Sequence, residues 1–106
     1  MNCVFCKIIK KELPADIVFE DDDVIVFKDI KPTAQFHFLV IPKRHIASIV
    51  DIEIEDLNLM GKLILTAKKI ADDFEFAQKG YRLLVRVEKG GGQEVDHIHL
   101  HLISGK

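Results

Sequence analysis

The period of the apolar positions changes along this chain, and each change marks an element. From Cys3 to Lys10, Val4, Phe5, Ile8 and Ile9 fall on neighbouring faces of one or two helical turns, which predicts a short N-terminal helix. Leu13-Pro14 ends it, because the residue before proline is pushed out of the helical region. Ile17 to Glu20 and Val24 to Lys28 are β-branched and aromatic, and Asp21 to Asp23 between them reads as the solvated turn of a hairpin. Gln35 to Pro42 alternates with period two, His37, Leu39 and Ile41 on one side and Phe36, Phe38 and Val40 on the other. Lys43 and Arg44, just beyond Pro42, are read as solvated. Ile54 to Phe74 carries Leu57, Met60, Leu63, Ile64, Ala67, Ile70, Ala71 and Phe74 at three- and four-residue spacing. That stripe predicts one long helix packed on a core or on a second copy of the chain. Tyr81 to Val87 reads as a strand. After the glycine run at 90–92, His97, His99 and His101 alternate with Ile98, Leu100 and Leu102, which predicts a strand with all three imidazoles on one face. Short strands with hairpin connections and one long helix give an α+β domain: a five-stranded antiparallel sheet, a long helix and a short N-terminal helix, in one domain over 1–106.

Composition narrows the class. A chain of 106 residues, 48% apolar and 30% charged, has material for one core. A net charge of −2 offers no footprint for nucleic acid or an anionic membrane. No apolar run nears the roughly 20 residues of a membrane span, and the first residues lack a signal peptide's apolar segment, so a cytoplasmic protein is expected. Cys3 and Cys6 are too close for an ordinary disulfide staple. In a reducing compartment they suggest a thiol pair or metal ligands, and equally two small buried hydrophobes.

The chemistry concentrates at the C-terminal end. Glycine lets backbone N–H groups approach an anion, so Gly90 to Gly92 before a row of imidazoles outlines a phosphoryl-group site. Spacing alone leaves two readings of that row: a histidine nucleophile, or His97, His99 and His101 as ligands of a catalytic zinc. Asp29 reads as a turn aspartate, and His37 as a histidine in an apolar strand.

The run His97-Ile-His99-Leu-His101-Leu-Ile103, with Gly91-Gly92-Gln93 before it, resembles the signature of the histidine triad family. Phe5-Cys-Lys-Ile-Ile and Phe38-Leu-Val-Ile-Pro-Lys-Arg-His45 extend the resemblance over nearly the whole chain, and it looks closest to the Hint branch of nucleoside phosphoramidases. The resemblance implies that His99 attacks the α-phosphate and carries a nucleotidyl intermediate, that His101 hydrogen-bonds the phosphate, and that His37 and His97 support the group. It places Gln93 and Gly92 beside the phosphate, Asp29 on the ribose hydroxyls, and Phe5, Leu13, Phe27 and Ile30 around a purine base. No catalytic cofactor is implied, which favours the metal-free reading. A dinucleoside polyphosphate hydrolase or nucleotidyl transferase of the same family, and a non-catalytic nucleotide-binding adapter, are the alternative functions.

By resemblance to some bacterial members, Cys3, Cys6, His45 and His97 imply a structural zinc, which competes with the other role of His97. A homodimer is implied as well. Many Hint proteins have asparagine at the position of Arg86 and serine or threonine at that of Glu94. Arg86 therefore either grips a phosphate or points to solvent, and Glu94 adds a negative charge near the site.

Overall fold

The computed structural model describes residues 3–105. Seven regular elements follow in chain order, joined by loops and short 3-10 turns: α1 (Val4–Ile9), β1 (Ile17–Glu20), β2 (Val24–Lys28), β3 (Phe36–Pro42), α2 (Leu57–Asp73), β4 (Arg82–Leu84) and β5 (Leu100–Ser104). The strands form one antiparallel sheet in the order β1-β2-β3-β5-β4. Because β3 pairs with β5, the C-terminal segment lies in mid-sheet, between the apolar β3 and the short edge strand β4.

Alternation along β2, β3 and β5 sorts side chains onto two faces. Val24, Val26, Phe38, Val40, Leu100 and Leu102 pack with Leu63, Ala67, Ile70 and Ala71 of α2 and with Phe76. Phe36, Phe38, Phe74 and Phe76 stack and tilt against one another there, with ring centroids 4.6–6.5 Å apart. On the opposite face Ile25, Phe27, Leu39 and Ile41 meet Cys3, Phe5 and Ile8 of the α1 region. The larger core holds the sheet on α2; the smaller leaves room for a cavity.

Several boundaries differ from the sequence reading, each for a local reason. Cys3 is the N-cap of α1 rather than a helical residue, its Sγ accepting from Cys6 N–H at 3.3 Å. The chain leaves that helix through Lys11, at φ 65, before Pro14 is reached. The stretch Ile54–Asp56 is a 3-10 turn, so α2 starts at Leu57; Asp56 bonds back to Glu53 N–H at 2.8 Å, a reciprocal cap. β4 covers only Arg82–Leu84, because it pairs with β5 alone and the chain then turns into the glycine loop.

Three surface readings also change. The acidic turn at 21–23 is fastened rather than simply solvated: Asp21 Oδ1 accepts from Asp23 and Val24 N–H, and Lys62 of α2 bridges Asp21 and Asp23 at 2.9 and 2.8 Å. Lys43 pairs with Glu20 at 2.7 Å, and Arg44, exposed as expected, also pairs with buried Asp56. Leu57 and Ile64, assigned to the apolar stripe, are exposed with Leu65, because the core-facing side of α2 runs through Leu63, Thr66, Ala67, Ile70 and Ala71. Among the described residues no helix is long and apolar enough to cross a membrane.

Candidate active site

A cavity of about 980 Å³ opens on the α1 face of the sheet. α1 and the loop to β1 supply Phe5, Ile8 and Leu13; the end of β2 and the residues after it supply Phe27, Asp29 and Ile30; His37, His99 and His101 form its floor. Leu84, Arg86 and Gly92 close the side nearest β4. Ile30 stands 93% exposed at the rim, an apolar side chain with nothing of this chain over it.

The ladder of β5 begins at Leu100, so the histidine segment is not one continuous strand. His101 lies in β5, His99 in the extended residues before it, and His97 in a bend. Alternation nevertheless persists: Ile98, Leu100 and Leu102 enter the α2 core. The three imidazoles turn the other way, where Phe5 meets His97 and His99 edge-on.

Backbone groups settle the tautomers, because a main-chain N–H can only donate and a carbonyl can only accept. Thr33 N–H donates to His37 Nδ1 at 3.1 Å, so neutral His37 carries its hydrogen on Nε2. That Nε2–H faces His101 Nδ1 at 2.9 Å and Asp29 Oδ2 at 3.2 Å. His101, accepting at Nδ1, is left with an Nε2–H donor. His99 is set the other way: its Nδ1–H donates to the carbonyl of His97 at 2.8 Å, leaving a lone pair on Nε2. Two imidazoles with ring centroids 5.1 Å apart therefore present opposite chemistry, one a nucleophilic nitrogen and the other a hydrogen-bond donor.

Burial first, then His99 and His37, hold His101 well below 6.5, at about 4; Asp29 opposes this and Arg86 adds to it. The residue is thus neutral near pH 7, as a donor-acceptor relay requires. Asp29 also accepts from Lys31 N–H through Oδ1 at 2.9 Å, so its carboxylate is tethered at one oxygen and shared with His37 at the other.

Two expected site residues stand elsewhere. The amide of Gln93 does not line the cavity. Its Oε1 accepts from Glu88 N–H, and its Nε2 donates to the carbonyls of Ala47 and Val95, so it pins the glycine loop to the segment after β3. His97 is fully buried with its ring turned from the cavity: Nε2 donates to the Pro42 carbonyl at 2.8 Å, and Nδ1 faces Cys3 Sγ at 3.4 Å, Cys6 Sγ at 3.7 Å and His45 Nδ1 at 3.1 Å. The two roles expected to compete at His97 are divided between atoms, the ring in this cluster and the carbonyl under His99.

The donor atoms of Cys3, Cys6, His45 and His97 all lie within 4.8 Å of one another. Tetrahedral zinc at usual bond lengths places nitrogens about 3.3 Å apart and sulfur and nitrogen about 3.6 Å apart. The 3.1–3.7 Å spacings fit that set with little movement. Asp29, His37 and His101 also converge, but His37 Nε2 carries the relay proton and has no lone pair for a metal. His97, His99 and His101 do not converge, so the catalytic-zinc alternative lacks its ligand set.

Comparison with known proteins places this architecture. The family profile "Scavenger mRNA decapping enzyme C-term binding" matches residues 2–106. A HIT family hydrolase from Legionella pneumophila Philadelphia 1 is 50% identical and superposes with a TM-score of 0.97, over 99% of this chain and 94% of that one. The chain belongs to the histidine triad family. A second HIT family hydrolase, from Clostridium thermocellum, is 47% identical with a TM-score of 0.96, over 99% and 91% of the two chains. The purine nucleoside phosphoramidase of Escherichia coli K12 is 45% identical over 103 residues, 97% of this chain and 87% of that protein. Among the residues that this histidine triad site adds to those expected from sequence are Ile8, Thr33, Leu84 and Val95. Thr33 acts through its backbone N–H, for which no side-chain signal exists; Leu84 was legible as two residues before Arg86 on one strand face.

A histidine whose folded pKa lies below its unfolded value takes up a proton when the chain unfolds. The stability contributed by neutral His101 is therefore present above pH 6.5 and is lost as the pH falls from 6.5 to about 4. His97 adds to the loss in the same direction, because burial lowers its pKa too. Thermal melting should fall across that window, and His101→Gln should remove part of the slope; a level profile contradicts the assigned neutral state.

Proposed function

We propose that the protein hydrolyses the phosphorus–nitrogen bond of purine nucleoside phosphoramidates through a nucleotidyl intermediate on His99. The observation that carries this reading is the 2.8 Å bond from His99 Nδ1 to the His97 carbonyl, which leaves the Nε2 lone pair at the cavity. The identity to a purine nucleoside phosphoramidase supports the same activity. His99 Nε2 attacks phosphorus and a P–N bond to histidine forms as the substrate's P–N bond breaks. The departing amine keeps the electron pair and takes a proton from water. Water then attacks phosphorus, His99 leaves with the electron pair, and a nucleoside monophosphate remains. His101 Nε2–H stabilises the charge that grows on a non-bridging oxygen, with His37 holding its tautomer. Asp29, with acceptor oxygens only, suits two ribose hydroxyls, and Phe5, Leu13, Phe27 and Ile30 suit the base.

His99→Ala should lower turnover by roughly a thousandfold or more, because residues two apart cannot replace an in-line nucleophile. His101→Ala should cost on the order of a hundredfold, the scale of one lost donor. Wild-type protein quenched during turnover should carry the nucleotidyl group on the peptide containing His99. Full activity in His99→Ala, or an adduct on another histidine, contradicts the assignment.

Cys3, Cys6, His45 and His97 would hold a structural zinc. Bound there, it would supply a rigid tetrahedral anchor with no open position and no part in the reaction. A reducing compartment, the cytoplasm, suits thiolate ligands. Protein purified under reducing conditions should contain one zinc per chain by elemental analysis, and Cys3→Ser should lose both the metal and thermal stability. Metal-free protein of unchanged stability would refute this site.

The remaining proposal is a homodimer. Leu57, Ile64 and Leu65 are exposed on α2, and Leu83 on the edge strand β4, whose outer side has no partner among the described residues. Pairing of these surfaces would cover both. Light scattering at micromolar concentration should report twice the chain mass; a monomer overturns the proposal.

A further inference from the structure

We propose that Arg86 selects the leaving group, receiving one that carries its own negative charge on the side of the histidines away from the ribose. The inference deepens the phosphoramidase reading and rests on it. It starts from the sheet order. Asp29, Phe27 and the α1 residues lie at the β2 end, His37 on β3, and His99 and His101 on or beside β5, while β4 is the outer neighbour of β5. A nucleotide with its sugar at Asp29 and its phosphorus at His99 thus leaves the β4 side of the cavity to the fragment that departs in line with His99.

Arg86 waits at that end. Leu84 pairs with His101 across β4 and β5, and Leu84 and Arg86 line the cavity while Val85 packs into the α2 core. Both therefore face the cavity, Arg86 two residues beyond Leu84 and past the last paired residue of β4. Its side chain crosses the glycine loop: a Cβ built on Gly92 would meet Arg86 Nη1 at 3.3 Å and Cδ at 3.4 Å. Gly92 has φ +85, so the loop keeps a glycine where both its own backbone and the arginine need one.

The guanidinium has no carboxylate or hydrogen-bond partner among the described residues. Of the two lysines on the lining, Lys28 is already paired with Asp16 at 3.4 Å, and Lys31 stands beside Asp29 at the ribose end, its backbone N–H on that carboxylate. Glu94 shares the lining but does not pair with Arg86, so the arginine's charge is not cancelled by contact. A planar group with five donors and a permanent charge suits the carboxylate of an amino-acid amine or a further phosphate equally. When the P–X bond breaks, X keeps the electron pair. An anion already on that fragment adds charge on the leaving side, where Arg86 can meet it.

Wild type, Arg86→Gln and Arg86→Lys should be compared on three purine nucleotides: a phosphoramidate of an uncharged amine, one of an amino acid with a free carboxylate, and a dinucleoside polyphosphate. The readouts are kcat/KM for each, affinity for the nucleoside monophosphate by calorimetry, and the adduct on His99. Wild type should prefer at least one anionic substrate over the uncharged one. Arg86→Gln should reduce that preference roughly ten- to hundredfold, the scale of one charge-assisted contact, and Arg86→Lys should restore part of it. Loss confined to the amino-acid or to the polyphosphate substrate identifies which anion Arg86 serves, and either supports the proposal. Equal losses on all three with weakened monophosphate binding would overturn it, assigning Arg86 to the α-phosphate. An adduct on His99 with no charge preference overturns this proposal alone; no adduct with any substrate overturns the phosphoramidase reading as well.

Discussion

The hydrogen bond from His99 Nδ1 to the main-chain carbonyl of His97 is the contact on which the rest of the site depends. Its acceptor belongs to a residue whose ring is fixed elsewhere, by the Pro42 carbonyl on one nitrogen and by the Cys3, Cys6 and His45 cluster on the other. One buried residue thus joins the N-terminal segment, the end of β3 and the proposed nucleophile. Phe5 reinforces the junction, its ring 6.0 Å from that of His97 and 5.2 Å from that of His99. The N-terminal helix is short, and its anchoring has a direct route to the proposed nucleophilic nitrogen through this one carbonyl.

Opposite tautomers at His99 and His101 need no difference in residue type, only backbone groups of opposite sense. A carbonyl beneath His99 takes its proton and frees Nε2. An N–H at Thr33, passed through His37, forces the reverse at His101. Backbone donors and carbonyls do not titrate near neutral pH, so the arrangement is set by the fold. Burial supports it by disfavouring the charged form of His101.

Much of this was legible in the chain. Period-two alternation in 36–42 and 98–102 assigned side chains to the correct faces, because that period is a property of extended backbone and not of its neighbours. The glycine run and the spaced histidines pointed to the residues that line the cavity for the same reason, as local chemistry at fixed offsets. Where the reading differed, a distant partner had intervened. Gln93 reads as a phosphate-side amide until its hydrogen bonds to Ala47 and Val95 are seen. Arg44 is solvated as its sequence suggests, but its pairing with Asp56, from the start of α2, has no local signal. The stripe on α2 reads too wide, because a helix shows which residues are apolar but not how broad its partner sheet is.

By itself, then, the sequence determined the strands, the faces and the residue types of the site, since these follow from backbone period and side-chain chemistry. Only the tertiary structure decided how His97 divides its work, which tautomer each histidine holds, and that Arg86 lies across the histidines from Asp29. Those depend on β5 inserting between β3 and β4 and on main-chain groups 42, 33 and 97 reaching particular ring nitrogens. Main-chain groups are the same in every residue, so no pattern of side chains announces which of them will be used.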